Sequence, residues 1–311
     1  MTNIITNVSN LSREEWLELR QVGIGGSDAA AACGLSKWKS PAQLYLEKTM
    51  KVPKESNESE HLRQGRDFED YVAQRFTEAT GKKVRRDNHM MSDSEYPFLI
   101  VDIDRRVVGE DAILECKTTT PYNKDKWADG TIPIEYELQC LHYMSVTGSK
   151  KCYIACLVFG TDFIIREINW DDETIEMLRQ KEIEFWTEYV EKGLMPAPDG
   201  SSLYDEALKK RFKGGLEESI DLQVDNYTYE AYKSNRELIK SLTEQNKEFE
   251  QGLKLQMGDN NYGESKHFTV SYKPSTSVRL DTKRIKKEAP EIYEKYGKET
   301  ESRRFLIKEI R

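Results

Sequence analysis

The stretch DIDRRVVGEDAILECK, residues 102–117, carries acids and a lysine at spacings that suit metal-assisted phosphodiester chemistry. It reads as two antiparallel strands joined at Gly109-Glu110-Asp111, with Asp104 on the first and Glu115-Cys116-Lys117 on the second. Side chains two apart on a strand share a face, so Glu115 and Lys117 project together. Cys116 points away, and its main-chain carbonyl remains as a further oxygen donor. Two converging carboxylates offer hard oxygen ligands to Mg²⁺. A cation held there lowers the pKa of an attacking water, and an ammonium beside it orients that water or offsets developing charge. Glu-X-Lys alone is common in a chain that is 33% charged. Its setting is less common: Phe98 to Val101 precede Asp102 and Asp104, and Ala112 to Leu114 precede Glu115, so two apolar strands each end in acid.

These residues need a scaffold, and composition bounds it. The chain has 311 residues, 37% of them hydrophobic, and a mean hydropathy of −0.75, enough for one sizeable domain and an appendage. It contains no run apolar enough to span a membrane. Its N-terminus, MTNIITNVSNLSREEW, lacks the basic and apolar regions of a signal peptide, which predicts a cytoplasmic protein. Cys33, Cys116, Cys140, Cys152 and Cys156 lack paired zinc spacing and read as reduced structural thiols, which argues against an iron–sulfur nuclease. The net charge of −8 opposes DNA binding unless a local basic surface compensates. Candidates are Lys82, Lys83, Arg85 and Arg86, then Lys124 and Lys126, and the tract from Asp281 to Arg311 with ten Lys/Arg against seven Asp/Glu.

Along the chain, Ser12-Arg13-Glu14-Glu15 is a capping box that opens a helix through Arg20 or Gln21. The turn Gly23-Ile24-Gly25-Gly26 follows, then an alanine-rich helix from Ser27 and another from Ser40-Pro41 to Lys48. A longer helix, His61 to Thr80, carries Phe68, Val72 and Phe76 on one stripe and ends at Gly81. Strands are predicted over 83–86, 97–103, 105–109 and 112–117, then a loop to Pro133, a helix over 135–146, strands 151–159 and 162–168, and a helix from Asp171 to Lys192. MPAPDG at 195–200 marks the domain boundary, giving a domain over 1–198 and an extension over 199–311. Backbone N–H groups and the Ser27 hydroxyl at the Gly25-Gly26-Ser27 turn form a cradle for phosphate, which the Arg20 guanidinium can also reach. Glu69 lies on the long helix four residues after Gly65, a residue that permits close approach to the sheet.

RQVGIGGSDAAAACGLSKWKSP, GRDFEDYV, DIDRRVV, ECKTTT and YELQCLHYM occur in that order, and together they resemble the YqaJ-type viral recombinase family, the phage lambda exonuclease-like branch of the PD-(D/E)XK nucleases. The resemblance covers about residues 12–195. It implies an α/β fold: a restriction-endonuclease-like core with a mixed central sheet and flanking helices. It also implies an Mg²⁺-dependent exonuclease, with Mn²⁺ as a substitute, working 5′ to 3′ on double-stranded DNA ends. Its product would be 3′ single strands for a RecT/Beta-like annealing protein of a phage or prophage in a bacterial cell. Carried over by residue, the metal falls to Asp104, Glu115 and the Cys116 carbonyl, and Lys117 is the catalytic lysine. Glu69 matches an assisting helix carboxylate and Gln139 a glutamine near the centre, with Tyr136 one turn earlier. Arg20 and Ser27 match the residues that hold a 5′ phosphate. The chain departs from the pattern at Asp102, where the family more often has an uncharged residue. Which aspartate is the principal ligand is thereby open, with the motif register favouring Asp104. The intact Asp104, Glu115 and Lys117 favour an enzyme over a fold retained only to hold DNA ends or partners, while an endonuclease of the same fold stays an alternative.

The remaining hundred residues have no such anchor. A helix is predicted from Tyr227 to Met257, with Tyr232, Ile239, Leu242, Phe249 and Leu253 near heptad a/d positions. Phe268, Val270 and Tyr272 alternate as a strand that Val278 to Leu280 would pair with as a hairpin, and Asp281 caps the basic helix TKRIKKE before a Pro290-initiated helix. The family resemblance implies a homotrimer. A dimer through the long helix, or a monomer with the tail clamped on DNA, are the other readings.

Overall fold

Ser and Asp side chains begin most of the helices, because a side-chain oxygen at the cap satisfies an N–H of the first turn. The computed structural model describes residues 2–50, 59–299 and 302–308. Strand β1 spans Thr2–Asn7. Ser12 caps α1, Arg13–Gln21, with Glu15 closing the predicted capping box; α2 spans Gly26–Ala32, and Ser40 caps α3, Pro41–Thr49. Ser59 caps α4, Glu60–Thr80, which ends at the left-handed Gly81. Then come β2 Val84–Arg86, β3 His89–Asp93, β4 Ile100–Asp102, β5 Arg105–Val107 and β6 Ala112–Thr119. A 3₁₀ segment, Pro121–Gly130, occupies the predicted loop, and α5 is Ile134–Thr147. After β7 Lys151–Val158 and β8 Asp162–Asn169, Asp171 caps α6, Asp172–Glu184, which widens into a π turn over Phe185–Val190.

The central sheet is mixed, with five strands in the order β2-β5-β6-β7-β8. Only β6 and β7 run parallel, joined through α5 as a crossover helix; the other pairings are antiparallel. A second, antiparallel sheet, β1-β3-β4, adjoins through the Ile24–Leu99 bridge. Neither β1 nor β3 is predicted from sequence, because TNIITN and HMMSD lack a clean alternation of apolar and polar residues. Two apolar layers sandwich the main sheet: Val72, Ala73 and Phe76 of α4 meet Ala112 and Leu114, while Leu141 and Met144 of α5 share the larger core with Ile113 and Ile154.

The first compact unit ends at Lys213, later than the boundary drawn at 198. The reason is α7, Ser202–Arg211, whose Tyr204 and Ala207 are buried in the same core. The second unit, Gly214–Arg311, contains α8 Asn226–Met257, the hairpin β9 Tyr262–Glu264 with β10 Thr269–Ser271, α9 Thr282–Glu288 and α10 Pro290–Tyr296. Here β10 pairs with the preceding β9, not with Val278–Leu280, across a turn that Ser265 Oγ closes by accepting from the His267 and Phe268 N–H groups. Among the described residues no helix is long and apolar enough to cross a membrane.

Candidate active site

Strand β6 sorts its side chains between two layers. Ala112 and Leu114 face α4, so Ile113, Glu115 and Lys117 face α5. The β5–β6 register pairs Arg105 with Leu114, and one step further brings Asp104 across from Glu115. Asp104 Oδ2 accepts a hydrogen bond from the Cys116 N–H at 2.8 Å. Glu115 is 3% exposed; its Oε1 lies 2.5 Å from Lys117 Nζ and 2.7 Å from Gln139 Nε2. Gln139 on α5 also accepts from Lys117 Nζ at 2.9 Å and donates to Tyr143 Oη at 2.8 Å. A single amide thus fixes the lysine, the glutamate and the tyrosine. This close approach of α2 to α5 requires Gly26, since a Cβ there would meet the Tyr143 ring at 2.5 Å.

The electrostatics are short of positive charge. Burial, then the charges of Glu115 and Glu69, push the Asp104 carboxyl well above the ordinary carboxylate range, against the pull of Lys117 and the Cys116 N–H. Burial also raises Glu115, although Lys117 opposes it. Burial would lower Lys117, but Glu115 and Asp104 outweigh it and raise the lysine, which is therefore an ammonium. Glu115 Oε2 is buried with no hydrogen-bond partner, a costly state for a carboxylate oxygen. A divalent cation fits this donor set: two oxygen-bearing acids, one of them with an unsatisfied buried oxygen. Among the described residues no three His, Cys, Asp or Glu side chains gather as a metal cluster, and the Cys116 carbonyl could supply a further oxygen.

The other expected residues divide. Asp102 does not share the position of Asp104: its Oδ2 accepts from the Trp16 indole N–H at 2.7 Å, and burial raises it. Glu69 approaches the centre closely enough to raise Asp104, yet its Oε1 is held by Arg105 Nη1 at 2.5 Å. Arg105, like Leu114, belongs to the α4 layer, which keeps Glu69 on that side. Gly65 is not what brings it there, because a Cβ at Gly65 would meet nothing within 4 Å.

Arg20 and Ser27 do meet, with Arg20 Nη2 donating to Ser27 Oγ at 2.7 Å. What holds them is not visible in the spacing of the sequence. Asp28, 2% exposed, lies 2.8 Å from Lys48 and 3.2 Å from both Arg20 and Lys39. Burial alone would raise Asp28, but Lys48, Arg20 and Lys39 hold it far below the usual range. The Arg20 guanidinium stacks 5.1 Å from the Trp16 ring, lies where a Cβ at Gly25 would clash, and leaves Nε buried without a partner. Three cations face Asp28 and Glu47, an excess of one positive charge beside an exposed serine. Of the expected basic groups elsewhere, Lys82, Arg86 and Lys124 are paired with Glu110, Asp70 and Asp162.

Residues 15–150 match the family model of the YqaJ-like viral recombinase domain. The uncharacterized protein YqaJ of Bacillus subtilis (strain 168) is 44% identical over 311 residues, spanning 99% of this chain and 98% of that protein. The chain belongs to the YqaJ-like viral recombinase family. Among solved structures, the alkaline exonuclease LHK-Exo from Laribacter hongkongensis aligns over 64% of this chain and 97% of its own, with a TM-score of 0.48 and 17% identity. A phage related exonuclease from Haemophilus somnus 129PT aligns over 57% and 97%, with a TM-score of 0.42 and 13% identity. The family match takes in α1 to α5, and so contains both Arg20–Ser27 and the Asp104–Glu115–Lys117 centre.

Proposed function

We propose that this family member is a metal-dependent deoxyribonuclease, an exonuclease that resects the 5′ strand of duplex ends and leaves 3′ single strands for a phage-type annealing protein. The observation that carries it is the buried Asp104–Glu115 pair, one oxygen unsatisfied, beside a lysine that stays protonated. Asp104, Glu115 and the Cys116 carbonyl would hold Mg²⁺ or Mn²⁺. The cation supplies Lewis-acid polarisation of the phosphate and an acidified water. Lys117, its ammonium beside Glu115, would donate to the developing negative charge on the phosphate oxygens. Gln139 holds that ammonium and Glu115 in one geometry. Glu69, held by Arg105, would assist from the α4 side.

The second site supports this direction of resection. Arg20 and Ser27, fixed by Asp28, offer a charge-assisted grip to a terminal 5′ phosphate. The protein should therefore engage ends.

Digestion of a linear duplex blocked at one end or the other, beside a covalently closed circle, tests the whole reading. Resection from open 5′ ends with an intact circle supports it. Nicking of the circle points to an endonuclease, and end binding without hydrolysis to a non-catalytic module. Ca²⁺ should bind without turnover, because its looser and larger coordination sphere positions the nucleophile poorly. A processive enzyme must stay on its product, and a homotrimer would achieve this. Light scattering on the full chain and on a chain ending at Lys213 checks it: a trimer that survives truncation puts the interface in the first unit and leaves the tail for a recombination partner.

A further inference from the structure

The loop Ser36–Lys39 sends three consecutive side chains to three different places. Lys37 Nζ reaches Glu135 Oε1 at 3.0 Å, and its N–H approaches the same oxygen at 3.5 Å. Lys39 reaches Asp28 at 3.2 Å. Between them Trp38 stands 53% exposed. The loop is nonetheless fixed, since Ser36 Oγ accepts from the N–H groups of Trp38 and Lys39 at 3.1 and 3.3 Å.

Beneath the exposed indole lies a column of rings. Trp38 and Tyr136 have centroids 5.6 Å apart, and Tyr136 stacks on the buried Trp127 at 5.8 Å and 29°. The Lys117 ammonium sits 4.9 Å from the Tyr136 centroid, so the exposed indole is one ring away from the catalytic lysine. Lys37 Nζ lies 4.4 Å from the Trp38 centroid. An indole half in water, backed by Tyr136 and with the Lys37 ammonium 4.4 Å over its ring, suits a flat ligand attached to an anionic chain.

We infer that Trp38 is a stacking platform for a nucleobase of the DNA strand whose phosphates occupy the Arg20–Ser27 and Asp104–Glu115–Lys117 sites. This rests on the nuclease reading for the identity of the strand. The loop is tied through Lys39 to Asp28, which holds Arg20, and through Lys37 and Trp38 to Glu135 and Tyr136 on α5, beside Lys117. A base on that strand would fall beside it. Stacking also suits an enzyme that must accept each base in turn, because every base has a π-face and the contact does not read its edge.

The test compares the wild type with Trp38→Phe and Trp38→Leu, all as the full chain. A duplex with 2-aminopurine as its terminal 5′ base is titrated with each protein in the presence of chelator, and duplex degradation is measured separately with Mg²⁺. Stacking quenches 2-aminopurine, so the wild type and Trp38→Phe should quench it and Trp38→Leu should not. In degradation Trp38→Leu should raise KM about tenfold, with Trp38→Phe close to the wild type. Equal quenching and equal KM in the leucine and phenylalanine variants would overturn the platform. If the wild type quenches through Trp38 yet degrades no DNA, the platform stands and the nuclease reading falls. If it degrades DNA while Trp38→Leu still quenches, only the platform falls.

Discussion

Asp28 and Asp104 are both aspartates withdrawn from water within one unit, and the protein treats them oppositely. Asp28 has three cations within 3.2 Å and is held far below the ordinary carboxylate range against its burial. Asp104 has one backbone N–H and the single cation Lys117 against two acidic neighbours and its burial, and is pushed well above it. The first site completes its own charge balance and even exceeds it. The second leaves a deficit, which binding must fill. Buried acids that are matched hold structure, and buried acids left unmatched wait for a ligand.

The largest expected effect is on turnover. Glu115→Ala, Asp104→Asn and Lys117→Ala should each cut DNA hydrolysis by about a hundred- to a thousandfold or more, because each removes part of the charge that stabilises the reacting phosphate. Asp102→Asn sharpens the distinction between the two strand-end acids. With Asp102 committed to the Trp16 indole, its loss should cost much less than that of Asp104. A purified, folded Lys117→Ala protein that still degrades DNA would remove the catalytic assignment.

Stability should separate the two aspartates by sign. Asp28→Asn leaves Arg20, Lys39 and Lys48 facing one another and should destabilise the fold by about 3–5 kcal/mol, the scale of a broken buried ion pair. Asp104→Asn relieves repulsion with Glu115 and should stabilise the cation-free protein. Asp28 has a depressed pKa in the folded state, so its contribution is fully present above its unfolded value of 3.8 and is lost only as pH falls through the folded one. Urea unfolding with and without Mg²⁺ checks both claims. The cation should stabilise the wild type, by about 2.7 kcal/mol at a hundredfold excess over Kd, and leave Asp104→Asn unmoved. Two variants that shift in the same direction would end the contrast.

The phosphate grip is smaller. Arg20→Ala should erase any preference for 5′-phosphorylated over hydroxyl ends, a difference of about 1.5–3 kcal/mol or roughly tenfold to a hundredfold in rate, while residual cutting persists. Rates measured on both kinds of end decide it. Equal rates in the wild type would leave Asp28 with a structural role only.

What the sequence showed and hid follows from range. Asp104, Glu115, Lys117 and the hairpin that carries them were legible because strand alternation and a short turn are local. The same holds for the helix from Glu60 to Gly81 and the cap at Asp281. Asp28 was not legible as a hub, because its partners Lys39 and Lys48 come from the following loop and helix, and a lysine's reach is not encoded in spacing. Trp16 on Asp102, 86 residues away, is equally silent in one dimension. Helix α7 was missed because Pro196, Pro198 and Gly200 resemble a linker, whereas Tyr204 returns the chain to the core and donates to the Pro196 carbonyl.

A third buried charge tests whether matching is the general rule in this unit. His142 on α5 is fully buried, with Nδ1 2.7 Å from Glu182 Oε1 and Nε2 2.9 Å from the Ile100 carbonyl. Both partners are acceptors, and a neutral imidazole has a single N–H, so this geometry requires the doubly protonated ring. Burial would lower its pKa, yet Glu182 and the Ile100 carbonyl raise it above 6.5. The stabilisation is therefore fully present below that value and lost as pH rises through the higher folded one. The loss should be about 1 kcal/mol. His142→Gln cannot titrate, so its stability should lack this decline as pH rises above 6.5. Parallel wild-type and variant curves across that range would mean that the ring is neutral, and that burial without charge matching is tolerated one turn from Gln139.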